Sequence, residues 1–250
     1  MKRLLIVLFL AITTSGFGQE KKIAPPSYFG LHGRAVFPTQ FIGTNSLDLV
    51  KDGFSSTIRQ ELGYSFGGTI RVGFTDLVSF ESGINYTQRY YSIHYAVPDS
   101  NLAGSASFGF IEYDIPLNAL FYIKLADRWY MNASMGAIMS FKPTHVQVKD
   151  SPPGYHLFIY TGLLRSRFGL GSNANLGFEF RTEKNGIFYL GGSARVPFGP
   201  LFDMIASYEW QGKSTRAYGE MDGSFLSIDL KYFFPNIRNK GPQFQDGPIE

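Results

Sequence analysis

The sequence contains no cysteine, and only 17% of its residues are charged. Without cysteine the chain has no disulfide, no thiolate metal site, no cysteine nucleophile and no lipidated N-terminal cysteine. Soluble domains carry about 25% charged residues, so this charge content is low for a chain that folds in water. The formal charge is only +3 and is spread evenly along the chain, so we expect no nucleic acid among its partners.

After its first residues, the sequence also lacks any apolar run of about 18 residues, the length that a membrane-spanning helix needs. The apolar run at residues 4–12 follows Lys2 and Arg3 and precedes small residues. This layout is typical of a secretory signal peptide. We predict residues 1–18 to be that peptide, with cleavage after Gly18; the alternative is an N-terminal anchor or a buried helix.

Glycine and aromatic residues are abundant, with 28 Gly and 16% aromatics. Apolar and polar residues alternate along most of the chain, which indicates β-strands. In the last strand, FLSIDLKYFF, the apolar residues share one face, and Ser227, Asp229 and Lys231 share the other. The alternation predicts eight strands, at residues 28–37, 61–74, 78–90, 108–123, 128–142, 167–181, 187–198 and 225–234.

Strands of ten or more residues are long enough to cross a bilayer when tilted, and only helices and closed barrels can span lipid. The connections alternate between short turns and long loops at 38–60, 91–107, 143–165 and 199–223, as in outer-membrane barrels. We therefore predict an all-β fold, a single eight-stranded antiparallel transmembrane β-barrel with short periplasmic turns and long extracellular loops. It occupies residues 19–234, and a disordered periplasmic tail follows at 235–250.

Within a barrel, the polar strand face would line the lumen. The alternation assigns a network of charges to it: Arg34, Glu61, Arg71, Glu81, Arg89, Glu112, Asp114, Lys124, Arg128, Arg167, Glu179, Arg181, Arg195, Asp229 and Lys231. An ion path is one interpretation. We favour a network of ion pairs, because the interior of eight strands is only wide enough for side chains, and buried charges need partners.

Aromatic residues stand at the predicted periplasmic strand ends, where outer-membrane barrels carry aromatic girdles. We predict these as membrane-interface aromatics: Phe29, Phe74, Phe80, Phe121, Trp129, Phe180, Phe188 and Phe234.

No catalytic or metal-binding residue is predicted. Glu112 and Asp114 share a face, but neighbouring arginines would keep both ionised. His145 and His156 could meet across the 143–165 hairpin and bind a metal, or could be solvated loop histidines. Two further loop segments also have two interpretations. The apolar stretch 155–164 either contacts a partner or packs on other loops, and 209–223 is either a recognition loop or a mobile one.

The stretch IEYDIPLNALFYI, residues 111–123, resembles the Y-x-[E/D]-[I/V]-P-[L/A] strand of the Bacteroidetes outer-membrane β-barrel proteins that include the PorT-like family. The resemblance implies a barrel in the outer membrane and, for some members, a role in protein secretion or gliding. It implies no catalytic residue. Independently, Pro116 predicts a bulge or a gap in strand pairing, because proline cannot donate a ladder hydrogen bond.

We expect a structural or interaction protein of the cell outer membrane, with no enzymatic activity and no cofactor. Its expected partners are outer-membrane lipid and lipopolysaccharide, the barrel-assembly machinery during biogenesis, and a secretion-machinery or extracellular partner bound through the loops or the tail. The alternatives are a small-solute pore, a lipid-modifying enzyme and a soluble periplasmic lipocalin-like barrel. An apolar outer face would conflict with the last of these.

Overall fold

The computed structural model describes residues 27–235 except Asp76 and Glu183, so the predicted signal peptide and almost all of the predicted tail lie outside the described residues. The described chain is all β, apart from a 3₁₀ turn at Pro98–Ser100. No helix in this part is long and apolar enough to cross a membrane. The strands are β1 (Tyr28–Pro38), β2 (Ser46–Lys51), β3 (Phe54–Gln60), β4 (Gly63–Gly73), β5 (Val78–Val97), β6 (Leu102–Lys124), β7 (Trp129–Phe141), β8 (Val146–Asp150), β9 (Leu157–Leu163), β10 (Phe168–Arg181), β11 (Ile187–Pro197), β12 (Phe202–Trp210), β13 (Lys213–Met221) and β14 (Phe225–Phe233).

Eight of these strands pair side by side into a closed antiparallel ring. Its order is β1, β4, β5, β6, β7, β10, β11 and β14, and β14 returns to pair with β1. These are the eight strands that the alternation predicts. Closure leaves no unpaired strand edge in the ring.

The ring is apolar outside and polar inside, the reverse of a soluble protein. Asp229 in β14 is fully buried, while its neighbours Ile228 and Leu230 are 53% and 61% exposed. The same alternation recurs around the ring, with buried Asn, Ser, Thr and charged residues opposite exposed Leu, Ile, Phe and Met. A face like this is stable against lipid, since apolar surface of this extent is rare on soluble monomers.

Three short turns lie at one end of the ring, between β4 and β5, β6 and β7, and β10 and β11. In the last of them Gly186 has φ +81, which favours glycine, and Thr182 Oγ1 donates to the Gly186 carbonyl at 2.8 Å. The predicted gap at Pro116 is also present. The β5–β6 pairing passes from Ser82–Leu117 to Asn85–Asp114 without pairing the residues between them.

At the other end, the four connections predicted as long loops are folded into β-structure, which corrects that prediction. β5 and β6 extend beyond the ring as a hairpin, and β2–β3 pairs with the extension of β5. β8, β9, β12 and β13 form a separate four-stranded sheet. We call the part formed by β2, β3, β8, β9, β12, β13 and residues 91–110 the head.

The head has its own hydrophobic core, built mainly from aromatic side chains. Tyr95 stacks on Phe158 with ring centroids 4.0 Å apart, and Phe158 stacks on Tyr208 at 4.9 Å. β13 lies against β2 and β6 lies against β8, so the two sheets enclose this core between them. The residues 155–164 therefore pack against other connections, which is the second of the two interpretations given above. Residues 209–223 are mostly strand β13.

Candidate functional site

The charged residues inside the ring gather into two clusters, and the first lies at the end with the short turns. We call it the inner cluster: Arg34, Arg71, Glu81, Glu179, Arg181, Asp229 and Lys231. Arg71 bridges two strands, with one guanidinium nitrogen 2.6 Å from Glu179 and another 2.8 Å from Glu81. Lys231 also pairs with Glu81, so this carboxylate is held from two sides. Most of these side chains are buried, and each buried charge faces an opposite charge, which offsets the free-energy cost of removing it from water.

Aromatic rings close the inner cluster toward the short turns. The guanidinium of Arg181 lies over Tyr130 at 3.9 Å and over Tyr122 at 4.6 Å, while it pairs with Glu179 at 3.0 Å. Arg71 lies 4.0 Å from the centroid of Phe233. These cations stack on the aromatic rings, and both guanidinium groups also line a cavity of about 310 Å³ at this end of the ring.

A layer of uncharged polar residues occupies the middle of the ring. Asn85 and Asn118 are buried, and neither side-chain amide has a hydrogen-bond partner in the part of the chain that the structure describes. Oxygens of Asn173 and Asn175 are in the same situation, whereas His32 Nδ1 bonds Thr69 at 3.0 Å. Buried amides are normally satisfied by internal water, so this layer is suited to hold water between the charge clusters.

The second cluster, which we call the outer cluster, lies where the ring meets the head. Arg195 binds Glu112 at 2.7 Å and Asp114 at 2.6 Å, and Arg89 binds Glu112 at 3.0 Å. Arg89 also donates to the Gly223 carbonyl at 2.7 Å. Lys142 is the fifth member. It is only 7% exposed, and Nζ donates to the Leu201 carbonyl at 3.3 Å.

A cavity of about 410 Å³ opens beside the outer cluster, and we call it the side cavity. Arg89, Lys142 and Arg195 line its depth. Its rim carries Phe168 and Phe198, which are 74% and 71% exposed. The cavity therefore joins buried cations to the apolar outer surface.

The predicted lumen charges divide into two groups. The first group lies in the two clusters, where Arg34 pairs with Asp229 at 3.3 Å and the other members make the contacts given above: Arg34, Arg71, Glu81, Arg89, Glu112, Asp114, Glu179, Arg181, Arg195, Asp229 and Lys231. Glu61, Arg128 and Arg167 are exposed and lie in connections, where strand alternation no longer decides the facing of a side chain, so their assignment to the lumen is corrected. Lys124, at the end of β6, is also exposed, but it lines a cavity with Arg71 and Arg181 at the short-turn end of the ring, on the predicted face.

The sequence reasoning missed Lys142. It lies one residue beyond β7, among polar residues that were predicted correctly as one face of that strand, but it was not counted among the lumen charges. A positive charge directly after an alternating strand was the available signal.

All eight predicted interface aromatics lie at or beside ring-strand ends on the side of the short turns: Phe29, Phe74, Phe80, Phe121, Trp129, Phe180, Phe188 and Phe234. Most are about half exposed. Neighbours stack, for example Phe29 on Phe234 at 5.9 Å and Trp129 on Phe180 at 5.0 Å. Their place on an apolar rim suits a girdle, and their contact with headgroups stays a prediction.

The two loop histidines and the pair Glu112 and Asp114 make hydrogen bonds, ring contacts or ion pairs with other side chains and backbone groups. His145 Nδ1 accepts the Leu164 amide at 3.2 Å, and His156 stacks on Trp210 at 5.2 Å. Within the described residues no group of three or more His, Cys, Asp or Glu could hold a metal. Glu112 and Asp114 are both bound by Arg195.

The ring and head together have the fold of an outer-membrane β-barrel protein. The chain is similar in structure to the outer membrane protein OprG from Pseudomonas aeruginosa, with a TM-score of 0.52 and 13% identity over 85% of this chain and 98% of that chain. It also matches the outer membrane protein AlkL, determined in DMPC bilayers by solid-state NMR. There the TM-score is 0.38 and the identity 9%, over 94% of this chain and 99% of that one.

No family model matches the sequence, and no curated protein matches it either. The PorT-like resemblance therefore stays a prediction. OprG is an outer-membrane protein, in agreement with the location that the sequence predicts for this chain.

Proposed function

We propose that this protein is an integral outer-membrane barrel whose eight ring strands cross the bilayer. The short turns face the periplasm and the head stands outside the cell. The inverted ring supports this, because an apolar exterior and a polar, charged interior are what lipid demands of a closed sheet.

Within that frame, we propose a structural and interaction role: a closed membrane stalk that presents a rigid β head to a partner. One observation carries this proposal. The connections at the outer end are not loose loops but a β-structure with its own aromatic core. A preorganised surface binds with less entropy loss than mobile loops would. The motif at 111–123 supports secretion machinery as the partner.

The first experiment is gel migration of outer-membrane extracts with and without boiling. A shift on boiling, in the membrane fraction, is expected of a closed barrel. A soluble protein without a shift would contradict the membrane proposal. For the role itself, loss of surface proteins on deletion of the gene would support the secretion link, whereas unchanged secretion would remove it.

A small-solute pore is the second candidate, and the middle layer of unpartnered amides favours it. The ion pairs of the inner and outer clusters argue against it, since they cross the ring on both sides of that layer. Purified protein in planar bilayers should give no conductance steps. Regular steps would favour the pore instead.

We also propose that the chain is not an enzyme. The carboxylate pair of Glu112 and Asp114 is engaged by Arg195, which opposes acid–base work. Unaltered lipid A on overexpression is expected, and a modified lipid A would overturn this.

A further inference from the structure

The outer cluster has more buried positive charge than negative. Arg89, Lys142 and Arg195 face only two carboxylates, Glu112 and Asp114, and all five side chains are at least nine-tenths buried. Both carboxylates are already paired with the arginines. Lys142 forms no ion pair with any described residue, and its one hydrogen bond goes to a backbone carbonyl. A buried cation without an anion costs several kcal/mol, so this cluster favours a further negative group.

Hydrogen-bond donors without a partner also indicate an anion site in the side cavity. The Nε atom of Arg195 is buried and has no hydrogen-bond partner among the described residues. Arg89, Arg195 and Lys142 line the side cavity, and so does Glu112, whose charge is already paired with both arginines. Three cationic side chains with spare donors suit an anion with several acceptor oxygens, such as a phosphate or a carboxylate.

The cavity leaves room for such a group. Gly169 in β10 lies over Lys142, and a Cβ built at this glycine would stand 3.6 Å from Nζ. The missing side chain therefore keeps space open above the ammonium. At about 410 Å³, the cavity falls within the range of small-molecule sites.

The apolar rim of the side cavity indicates that a ligand bound there would have an apolar part. Phe168, Leu170 and Phe198 line the cavity and are at least 59% exposed. They belong to the outer surface of the ring, next to the exposed leucines that would face lipid. A ligand seated on the cations would pass its remaining part over these side chains.

We propose that the side cavity binds the anionic head of an amphiphile, with its phosphate or carboxylate on Lys142, Arg89 and Arg195 and its hydrocarbon part on the apolar rim. The inference rests on the proposed membrane barrel. An outer-leaflet lipid and a free phosphate ion share the head chemistry, so the test separates these two sources.

The test is a ³¹P NMR titration of the full-length protein in neutral maltoside micelles, with dodecyl phosphate and, separately, inorganic phosphate. Dodecyl phosphate should bind saturably. Lys142→Gln should raise its Kd at least tenfold, and Gly169→Leu should do the same by filling the space over Nζ. Lys149→Gln, which removes an exposed lysine of the head, is the matched control and should leave the Kd unchanged. Competition by dodecanoate tests whether a carboxylate head is also accepted.

Equal affinity for inorganic phosphate and dodecyl phosphate would overturn the amphiphile part of the proposal and leave an anion site. Absence of saturable binding, or equal Kd values in wild type and Lys142→Gln, would overturn the site itself. The boiling-dependent gel shift is measured on every variant. A shift without binding rejects only this inference, whereas a missing shift in the wild type rejects the membrane barrel.

Discussion

At the residue scale, stability of the ring depends on charges that neutralise each other without water. Arg71→Met would remove one of the two cations that Glu81 and Glu179 each contact, while Lys231 and Arg181 would remain. Leaving a buried charge unpaired costs about 3–5 kcal/mol, so the free energy of unfolding should fall by up to this amount. Urea unfolding in phosphatidylcholine vesicles, followed by Trp129 fluorescence, measures the change.

The matched control is Arg165→Met. Arg165 pairs with Asp203 at 2.7 Å and also with Glu220, but its side chain is 56% exposed. Exposed ion pairs contribute little to stability because water and salt screen them, so this variant should unfold close to the wild type. Equal losses in both variants would contradict the view that burial makes the inner cluster important.

A second residue-scale prediction concerns alkaline pH and the head. Burial and then the hydrogen bond to Asp150 raise the pKa of Tyr95 to about 12, against about 10 in an unfolded chain. The neutral phenol is thus favoured in the folded head. Its contribution is complete below pH 10 and is lost as the pH rises toward 12. The urea midpoint of Trp210 fluorescence should fall across this window.

Tyr95→Phe removes the ionising group and should reduce that fall, at a neutral-pH cost of about 1 kcal/mol for the lost hydrogen bond. An equally steep loss in the variant would assign the alkaline transition to other groups.

At the element scale, the head hairpin β12–β13 is separable from the ring. Its base is closed by the Leu201 amide, which donates to Met221 at 2.7 Å. Replacing residues 202–221 by a short Gly-Ser linker should keep the boiling-dependent gel shift, because no ring strand is removed. It should also speed proteolysis of β9, since Phe158 loses its contact with Tyr208. Loss of the gel shift would mean that the ring needs the head.

The strands show how much of the fold could be predicted from the sequence. Alternation identified all eight ring strands, because lipid on one side and a polar lumen on the other enforce period two along a strand. It missed six strands of the head. β9 is apolar on both faces, since one face joins the head core, and the short β2 and β8 lie inside stretches rich in turn residues.

The charged residues inside the ring could also be predicted where they lie within strands. Residues within strands, such as Arg71 and Asp229, were placed inside correctly by alternation. Glu61, Arg128 and Arg167 were not, because each lies in a connection. The side cavity could not be predicted at all, since Lys142, Gly169 and Phe198 come together only when β7, β10 and the segment after β11 meet.

At the scale of the whole molecule, ring and head differ in how they are closed. The ring is hydrogen-bonded all the way round, whereas the two head sheets meet at β13 and β2, and at β6 and β8, without a continuous ladder. We therefore expect the head to unfold first. Trp129→Phe reports the head through Trp210, and Trp210→Phe reports the ring through Trp129. The head midpoint in urea should be the lower one, and coincident midpoints would indicate one cooperative unit.

The pairing of β1 with β14 has a consequence for biogenesis. The first and last ring strands are neighbours, with Gly30 opposite Phe233 and Pro38 opposite Phe225. Translation therefore delivers the closing strand after every other strand has been made. Until then β1 is an open edge, which invites pairing with other chains. Any chain that crosses the periplasm before β14 pairs with β1 would expose this edge there, so we expect unassembled protein to associate with other chains more readily than the closed ring does.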